Sequence, residues 1–186
     1  MFAIYEILQN IPTKNSTSPD GVPYILLNKC SEVIAPILTE IFRLVLDSGQ
    51  IPAIWTKSHI IPIHKKNEKS NPNNYRPISL TCTICRIFER VLAKNITDFL
   101  HKNNFFTSEQ FGFLQKRSTT TQLLATLEDF YTGIQEKNDI DVIYIDFKKA
   151  FDSVPIEILL RKVQKAGISG KILKFLRTSS QIGLSE

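Results

Sequence analysis

Nowhere does this sequence run apolar for the roughly 18 to 20 residues that a membrane-spanning helix needs, so no spanning helix is expected. The opening Met1-Phe-Ala-Ile-Tyr-Glu6 also lacks the basic segment followed by an apolar one that marks a secretory leader. The chain therefore reads as soluble and intracellular, cytoplasmic or nuclear. Cysteine is scarce: Cys30, Cys82 and Cys85 are an odd number, which makes no disulfide framework and fits a reducing compartment. Cys82-Thr-Ile-Cys85 has C-x-x-C spacing, but no second pair follows and His64 and His101 lie far off in sequence. Core cysteines on a helix are expected there, not zinc or redox chemistry. Internal repeats and low-complexity tracts are missing as well. What remains, with 42% apolar and 22% charged residues in 186, is enough to bury a core, in one domain or one and a half.

Charge is present and unevenly placed. Residues 1–56 carry three Lys/Arg against five Asp/Glu, residues 57–117 carry eleven against four, and residues 118–186 carry nine of each. The net charge of +5 is thus a property of the middle of the chain. A local excess of cations suits a polyanion, because each Lys or Arg set on a phosphate releases condensed counterions. A solvated basic face is the plain alternative.

The pattern along the chain is mostly helical. Ile4, Ile7, Leu8 and Ile11 recur at helical spacing until Pro12, and Thr13 to Pro23 reads as a loop built on Ser18-Pro-Asp20-Gly21 turn chemistry. Ser31 is placed to cap a helix with the stripe Ile34, Ile37, Leu38, Ile41 and Val45, ended by Gly49. Ser58 to Ile63 reads as a strand that Pro62 keeps at an edge. After the turn with Lys65, Lys66 and Lys69, Tyr75 to Leu80 returns, which makes a basic hairpin. Ile84, Ile87, Phe88, Val91, Leu92, Ile96 and Phe99 mark a four-turn helix. Thr107-Ser-Glu-Gln110 has capping-box spacing. The stripe Leu123, Leu127, Phe130, Tyr131 and Ile134 predicts another helix, and Lys137-Asn-Asp139 turns the chain into an apolar strand that ends in Asp146. Pro155 opens a helix over Ile156, Leu159, Leu160 and Val163, closed by Gly167. Lys171 to Arg177 begins one more. Thr178 to Glu186 shows no periodicity and is expected to fray. The fold class is α+β, mostly helical with a small antiparallel sheet.

Val142-Ile-Tyr-Ile-Asp146-Phe-Lys-Lys-Ala-Phe151-Asp152 is the stretch richest in chemistry. A buried strand holds its terminal carboxylate rigidly, and an Asp at such a strand end grips the divalent ions that neutralise a triphosphate and activate an attacking hydroxyl. One Asp does not suffice, and no later strand ends in paired acids.

Five segments then occur together and in order: Ile60-Ile-Pro-Ile-His-Lys-Lys66, Asn74-Tyr-Arg-Pro-Ile-Ser-Leu80, Ile87-Phe-Glu-Arg-Val-Leu92, Gln110-Phe-Gly-Phe113 and Asp146-Phe-Lys-Lys-Ala-Phe-Asp152. Over roughly residues 10 to 177 the chain resembles the reverse transcriptase of non-LTR, LINE-type retrotransposons, close to the jockey-like group. The resemblance implies an incomplete right-hand polymerase domain, comprising fingers and the N-terminal part of the palm. Residues 1–56 are then a helical extension, 57–136 the basic fingers, 137–177 the first part of the palm, and 178–186 an aberrant tail. It implies that Asp146 binds catalytic metal, with the backbone carbonyl of Phe147 touching the second ion, Mg2+ or Mn2+. It sets backbone N–H groups of Lys149 and Ala150 against the incoming triphosphate, and Phe151 under the sugar. Phe151 as a core aromatic is the alternative, and Asp152 or Ser153 reads as a cap for the helix after Pro155. Lys65 or Lys66 and Arg76 match the hairpin cations that close on the triphosphate. Asp20 and Gly21 resemble a template-contacting motif, although Asp20 is also a plain turn-former. Lys116 and Arg117 resemble a second fingers motif that usually has Arg directly after Gly-Phe, where this chain has Leu114.

The implied partners are an RNA template, a DNA primer and a deoxynucleoside triphosphate, joined by two-metal nucleotidyl transfer in the intact enzyme. The family's Pro-Gln-Gly segment, its hairpin with two adjacent aspartates and its thumb are not in this sequence. The expectation is a fragment inactive on its own, with weak magnesium binding. A non-catalytic RNA- or DNA-binding module and a non-functional relic are the alternatives.

Overall fold

The structure is a computed structural model that describes residues 2–13, 18–147, 150 and 153–182. Helices dominate it, and the described strands make one small antiparallel sheet. Two compact units are present, Met1–Asp98 with Ile156–Glu186, and Phe99–Pro155.

In the first unit, α1 (Phe2–Gln9) buries Ile4 and Leu8, the helical-spacing pair expected there. The short α2 (Tyr24–Lys29), not foreseen, buries Leu27. It is too short for periodicity to reveal it. Next, α3 (Ser31–Ser48) faces the core with Ala35, Leu38, Phe42 and Val45. The expected stripe is therefore rotated: Ile37 and Ile41 are exposed, and Phe42, which the pattern passed over, is inside. Ser31 is the first helical residue and not the cap, and its hydroxyl accepts from Gln9 Nε2 at 2.8 Å. Gly49 takes φ +70 at the helix end, the left-handed turn in which its N–H bonds Val45 O at 2.9 Å. A Cβ there would also meet Lys174 Cε at 2.8 Å. After a 3-10 turn at Ala53–Thr56, β1 (Ser58–His64) and β2 (Tyr75–Thr81) form the expected hairpin, with Pro62 directly opposite Pro77.

The long α4 (Thr83–Lys102) buries Cys85, Ile87, Phe88 and Leu92. Phe88 is the centre of the core, with ring centroids of Phe42, Trp55 and Phe175 at 4.9, 5.4 and 5.0 Å. Two more helices, α6 (Ile156–Lys165) and α7 (Gly170–Ile182), belong to this unit. The start of the expected tail is helical: α7 continues to Ile182, and Thr178, Ser179 and Ser180 turn their hydroxyls onto Lys174, Leu176 and Arg177 carbonyls. Back-bonded polar residues hold a helix without a hydrophobic period to announce it. Residues 183–186 lie outside the described residues.

In the second unit, α5 (Thr119–Gln135) starts at a capping box: Ser118 Oγ accepts from Thr121 N–H at 3.1 Å, and Thr121 Oγ1 accepts from Ser118 N–H at 3.0 Å. The box expected at Thr107–Gln110 is instead a turn, because no helix follows it. The stripe on α5 is real in spacing but bare, with Leu123, Leu127, Tyr131 and Ile134 each about 60% exposed or more. Residues 140–147 form no regular element, and among the described residues no strand pairs with them. The expected buried strand is thus not formed, and Ile143, Tyr144 and Ile145 are 84%, 88% and 81% exposed. A ladder needs a partner to take its N–H and C=O groups, and among the described residues no strand supplies one.

Candidate nucleic-acid and nucleotide site

The hairpin presents a cluster of exposed positive charge. Its last rung is closed by Lys65 N–H donating to Asn74 O at 2.7 Å, and Lys65 and Lys66 stand exposed just beyond β1. Arg76 lies across the ladder from Ile63 on β2 and is exposed. Among the described residues, none of these three side chains forms an ion pair. A short, well-laddered ribbon thus holds three cations within a few residues of one another, an arrangement able to neutralise phosphate oxygens.

Asp20 is placed differently. It sits in a turn closed by Gly21 N–H on Ser18 O at 2.8 Å, and Gly21 adopts φ +68 with open space beside its Cα. One carboxylate oxygen accepts from Ser18 Oγ at 2.5 Å and Val22 N at 3.2 Å. The other accepts from Cys82 Sγ at 2.7 Å and Ile84 N at 3.3 Å. Ser18, itself buried, reaches Thr83 Oγ1 at 2.7 Å and accepts from Thr83 N–H at 2.9 Å. The turn therefore clamps the start of α4: the Asp20 anion takes the Ile84 amide and Ser18 Oγ the Thr83 amide, first-turn donors that a helix leaves orphaned. Partial burial works to raise the Asp20 pKa, but the bonds from Cys82, Ser18 and the two amides outweigh it and hold the carboxyl below its ordinary 3.8. Cys82 and Thr83 carried no sequence signal for this network; only the turn-forming Ser18-Pro-Asp-Gly21 string pointed to it.

The C-x-x-C cysteines are core residues, as expected. Burial, then the bond to Asp20, pushes the Cys82 thiol up to about 11. Burial, then the charge of Glu89, pushes Cys85 up to about 12. Neither is a thiolate at neutral pH, and thiolate is the reactive and metal-binding form.

In the second unit, Lys116 is exposed at φ 62, while Arg117 stacks its guanidinium 4.9 Å from the Phe111 ring centre and donates to Ser108 O. Leu114, which interrupts the motif, is buried. Asp146 is exposed at the end of the unpaired segment, Phe147 is 77% exposed, and Ala150 lies in an exposed turn. Lys149, Phe151 and Asp152 lie outside the described residues. Asp146 and the Phe147 carbonyl offer two oxygen ligands, and no group of three His, Cys, Asp or Glu gathers among the described residues. That donor set does not by itself fit a resident divalent ion, which asks for six oxygens in an octahedron. No described helix is long and apolar enough to cross a membrane.

Residues 63–185 match the family described as reverse transcriptase (RNA-dependent DNA polymerase). Over 163 residues, 87% of this chain, it is 29% identical to a probable RNA-directed DNA polymerase from transposon BS of Drosophila melanogaster, covering 18% of that protein. The RNA-directed DNA polymerase from mobile element jockey of the same organism is 25% identical over 163 residues, with the same coverage of 87% and 18%. A retrovirus-related Pol polyprotein from the type-1 retrotransposable element R2 of Popillia japonica is 27% identical over 126 residues, covering 68% of this chain and 17% of the relative. The chain spans less than a fifth of the length of each, 17% to 18%. It belongs to the reverse transcriptase (RNA-dependent DNA polymerase) family, as part of a polymerase of the non-LTR retrotransposon kind.

Proposed function

We propose that this chain is the fingers and the beginning of the palm of a polypeptide that copies RNA into DNA. In this reading residues 1–56 extend the fingers, 57–136 are the basic fingers, 137–177 begin the palm, and 178–186 are a tail. The longer polypeptide takes an RNA template, a DNA primer and a deoxynucleoside triphosphate. The observation that carries the reading is the family match over residues 63–185, which takes in β2 and the Asp146 segment together.

Within that activity, Lys65, Lys66 and Arg76 neutralise the triphosphate, supported by their exposure and freedom from internal ion pairs. The backbone amides around Lys149 and Ala150 receive the same phosphates, and Phe151 lies under the sugar. Asp146 supplies one metal-binding carboxylate, beside the carbonyl of Phe147. Divalent metal, Mg2+ or Mn2+, supplies charge neutralisation to such reactions when bound. Because Asp20 is engaged internally, template contact at that turn falls to the open Gly21 backbone while Asp20 shapes it. Lys116 reaches for template phosphate, and Arg117 holds its loop through Phe111 and Ser108.

Two measurements test the reading. An RNA–DNA hybrid should bind the 186-residue chain at low salt with affinity that falls steeply as salt rises. Neutralising Lys65, Lys66 and Arg76 together should flatten the log–log salt slope by about three, one per lost phosphate contact. Unmeasurable binding at low salt refutes the nucleic-acid reading. Primer extension on an RNA template with magnesium or manganese should give no product. Product that Asp146→Ala abolishes would refute the inactivity of this part alone.

A further inference from the structure

The two faces of the β1–β2 hairpin differ in a way that the proposed triphosphate site does not use. Opposed residues of an antiparallel ladder share a face, and faces alternate along each strand. The register Ile63↔Arg76 therefore puts Arg76 with Ile61 and Ile78, while Pro62↔Pro77 and His64↔Tyr75 fall on the other side. That other side is hollow. Pro62, Pro72, Tyr75 and Pro77, with Lys69 and Ser70, line a concavity of about 560 Å³, within the usual range for small-ligand sites.

Its walls are held by specific bonds. Tyr75 Oη donates to Lys69 O at 2.9 Å and Asn74 Nδ2 donates to Glu68 O at 2.8 Å, which ties the 68–70 loop over the strand. The His64 ring meets the Tyr75 ring edge-on at 5.3 Å and donates its Nε2–H to Asn67 O at 3.0 Å, which holds it beside the tyrosine. Proline offers no backbone N–H, and three of the six lining residues are prolines, so the lining is mostly apolar. Lys69 lines it and Lys65 and Lys66 lie in the adjoining turn, against Glu68 alone, while Arg76 is on the opposite face.

An apolar, aromatic-walled hollow rimmed by cations matches an unpaired nucleobase with its phosphates outside: a planar ring stacks on the tyrosine and the prolines, and an ammonium takes the backbone. We infer that the Tyr75 face of the hairpin is a second nucleic-acid site, which receives an unstacked base of a single strand while the Arg76 face serves the triphosphate. This rests on the nucleic-acid reading above and adds a base-recognising pocket to it.

The test compares a short fluorescent oligouridylate with an abasic strand of the same length, both titrated by anisotropy into the full chain at low salt. The base-bearing strand should bind about tenfold more tightly, since one stacked base is worth roughly 5- to 150-fold. Tyr75→Ala should abolish the difference, and Tyr75→Phe, which keeps the ring and loses the bond to Lys69 O, should retain it. Arg76→Ala should weaken both strands equally. Trp55 fluorescence reports whether each variant is folded. Equal binding of the two strands by the unaltered chain overturns the pocket and leaves the nucleic-acid reading standing. No binding of either overturns both. Preference for a proline-rich peptide that displaces neither strand would make the hollow a protein-docking site and overturn the inference.

Discussion

Asp20→Asn changes one charge and almost no volume, and so isolates the clamp between the 18–21 turn and α4. The carboxylate now accepts four hydrogen bonds, two on each oxygen. An asparagine keeps one acceptor and turns an NH2 toward either the Ser18 hydroxyl and Val22 amide or the Cys82 thiol and Ile84 amide, donor against donor. Hydrogen bonds to a charged group contribute about 1.5–3 kcal/mol net, and an anion at a helix start about 0.3–1 kcal/mol. Because the group is partly exposed, the loss expected is about 2–3 kcal/mol, near the lower part of that sum. Urea unfolding followed by Trp55, which packs in the same unit's core, measures it. The folded pKa of Asp20 lies below 3.8, so the stabilisation is complete above that value and fades as pH falls through the folded pKa. The variant and parent curves should therefore converge in acid. Equal midpoints at neutral pH refute the clamp. A variant of unchanged stability that binds RNA less well would make Asp20 a direct template contact and refute the reasoning as well.

Phe88→Ala opens a hole among three aromatic rings and should cost about 3–5 kcal/mol, read from the shift in urea midpoint. With folded thiols pushed from 9.0 to about 11 and about 12, the unfolded chain loses its Cys82 and Cys85 protons first, so stability should be flat below pH 9 and fall as pH rises beyond it. Cys85→Ala should shallow that alkaline limb, and a limb of unchanged steepness contradicts the assignment. Gly49→Ala should destabilise by about 1 kcal/mol or more through its left-handed φ and its approach to Lys174, checked by thermal unfolding. Replacing both Leu127 and Tyr131 with Lys should leave stability within about 0.5 kcal/mol, because both are exposed, and should reduce self-association in sedimentation.

Where one segment carries its own instructions, the sequence was readable. The hairpin came from β-branched runs either side of a polar turn, α4 from an unbroken apolar face, and the end of α3 from Gly49. What depended on distant partners was not. The rotation of α3 that buries Phe42 and bares Ile37 is decided by α4 and Trp55, and Ser18, Cys82 and Thr83 meet only because 62 to 65 residues of chain return to the same place. Likewise the spacing in α5 and the apolar run before Asp146 predicted burial that the structure does not show, because spacing does not say whether a partner is at hand. The candidate cations divide in the same way: exposure leaves Lys65, Lys66 and Arg76 available, whereas Arg117 is occupied by contacts that no motif encodes.

Val142-Ile-Tyr-Ile145 combines strong strand preference, no proline and exposed side chains, which are the ingredients of cross-β stacking between copies. The acids at Asp139, Asp141 and Asp146 stand at its flanks as gatekeepers, since in-register stacking would pile like charges 4.7–4.8 Å apart along a fibril. The same acids that flank this exposed apolar run would thus oppose its stacking on a second copy of the chain.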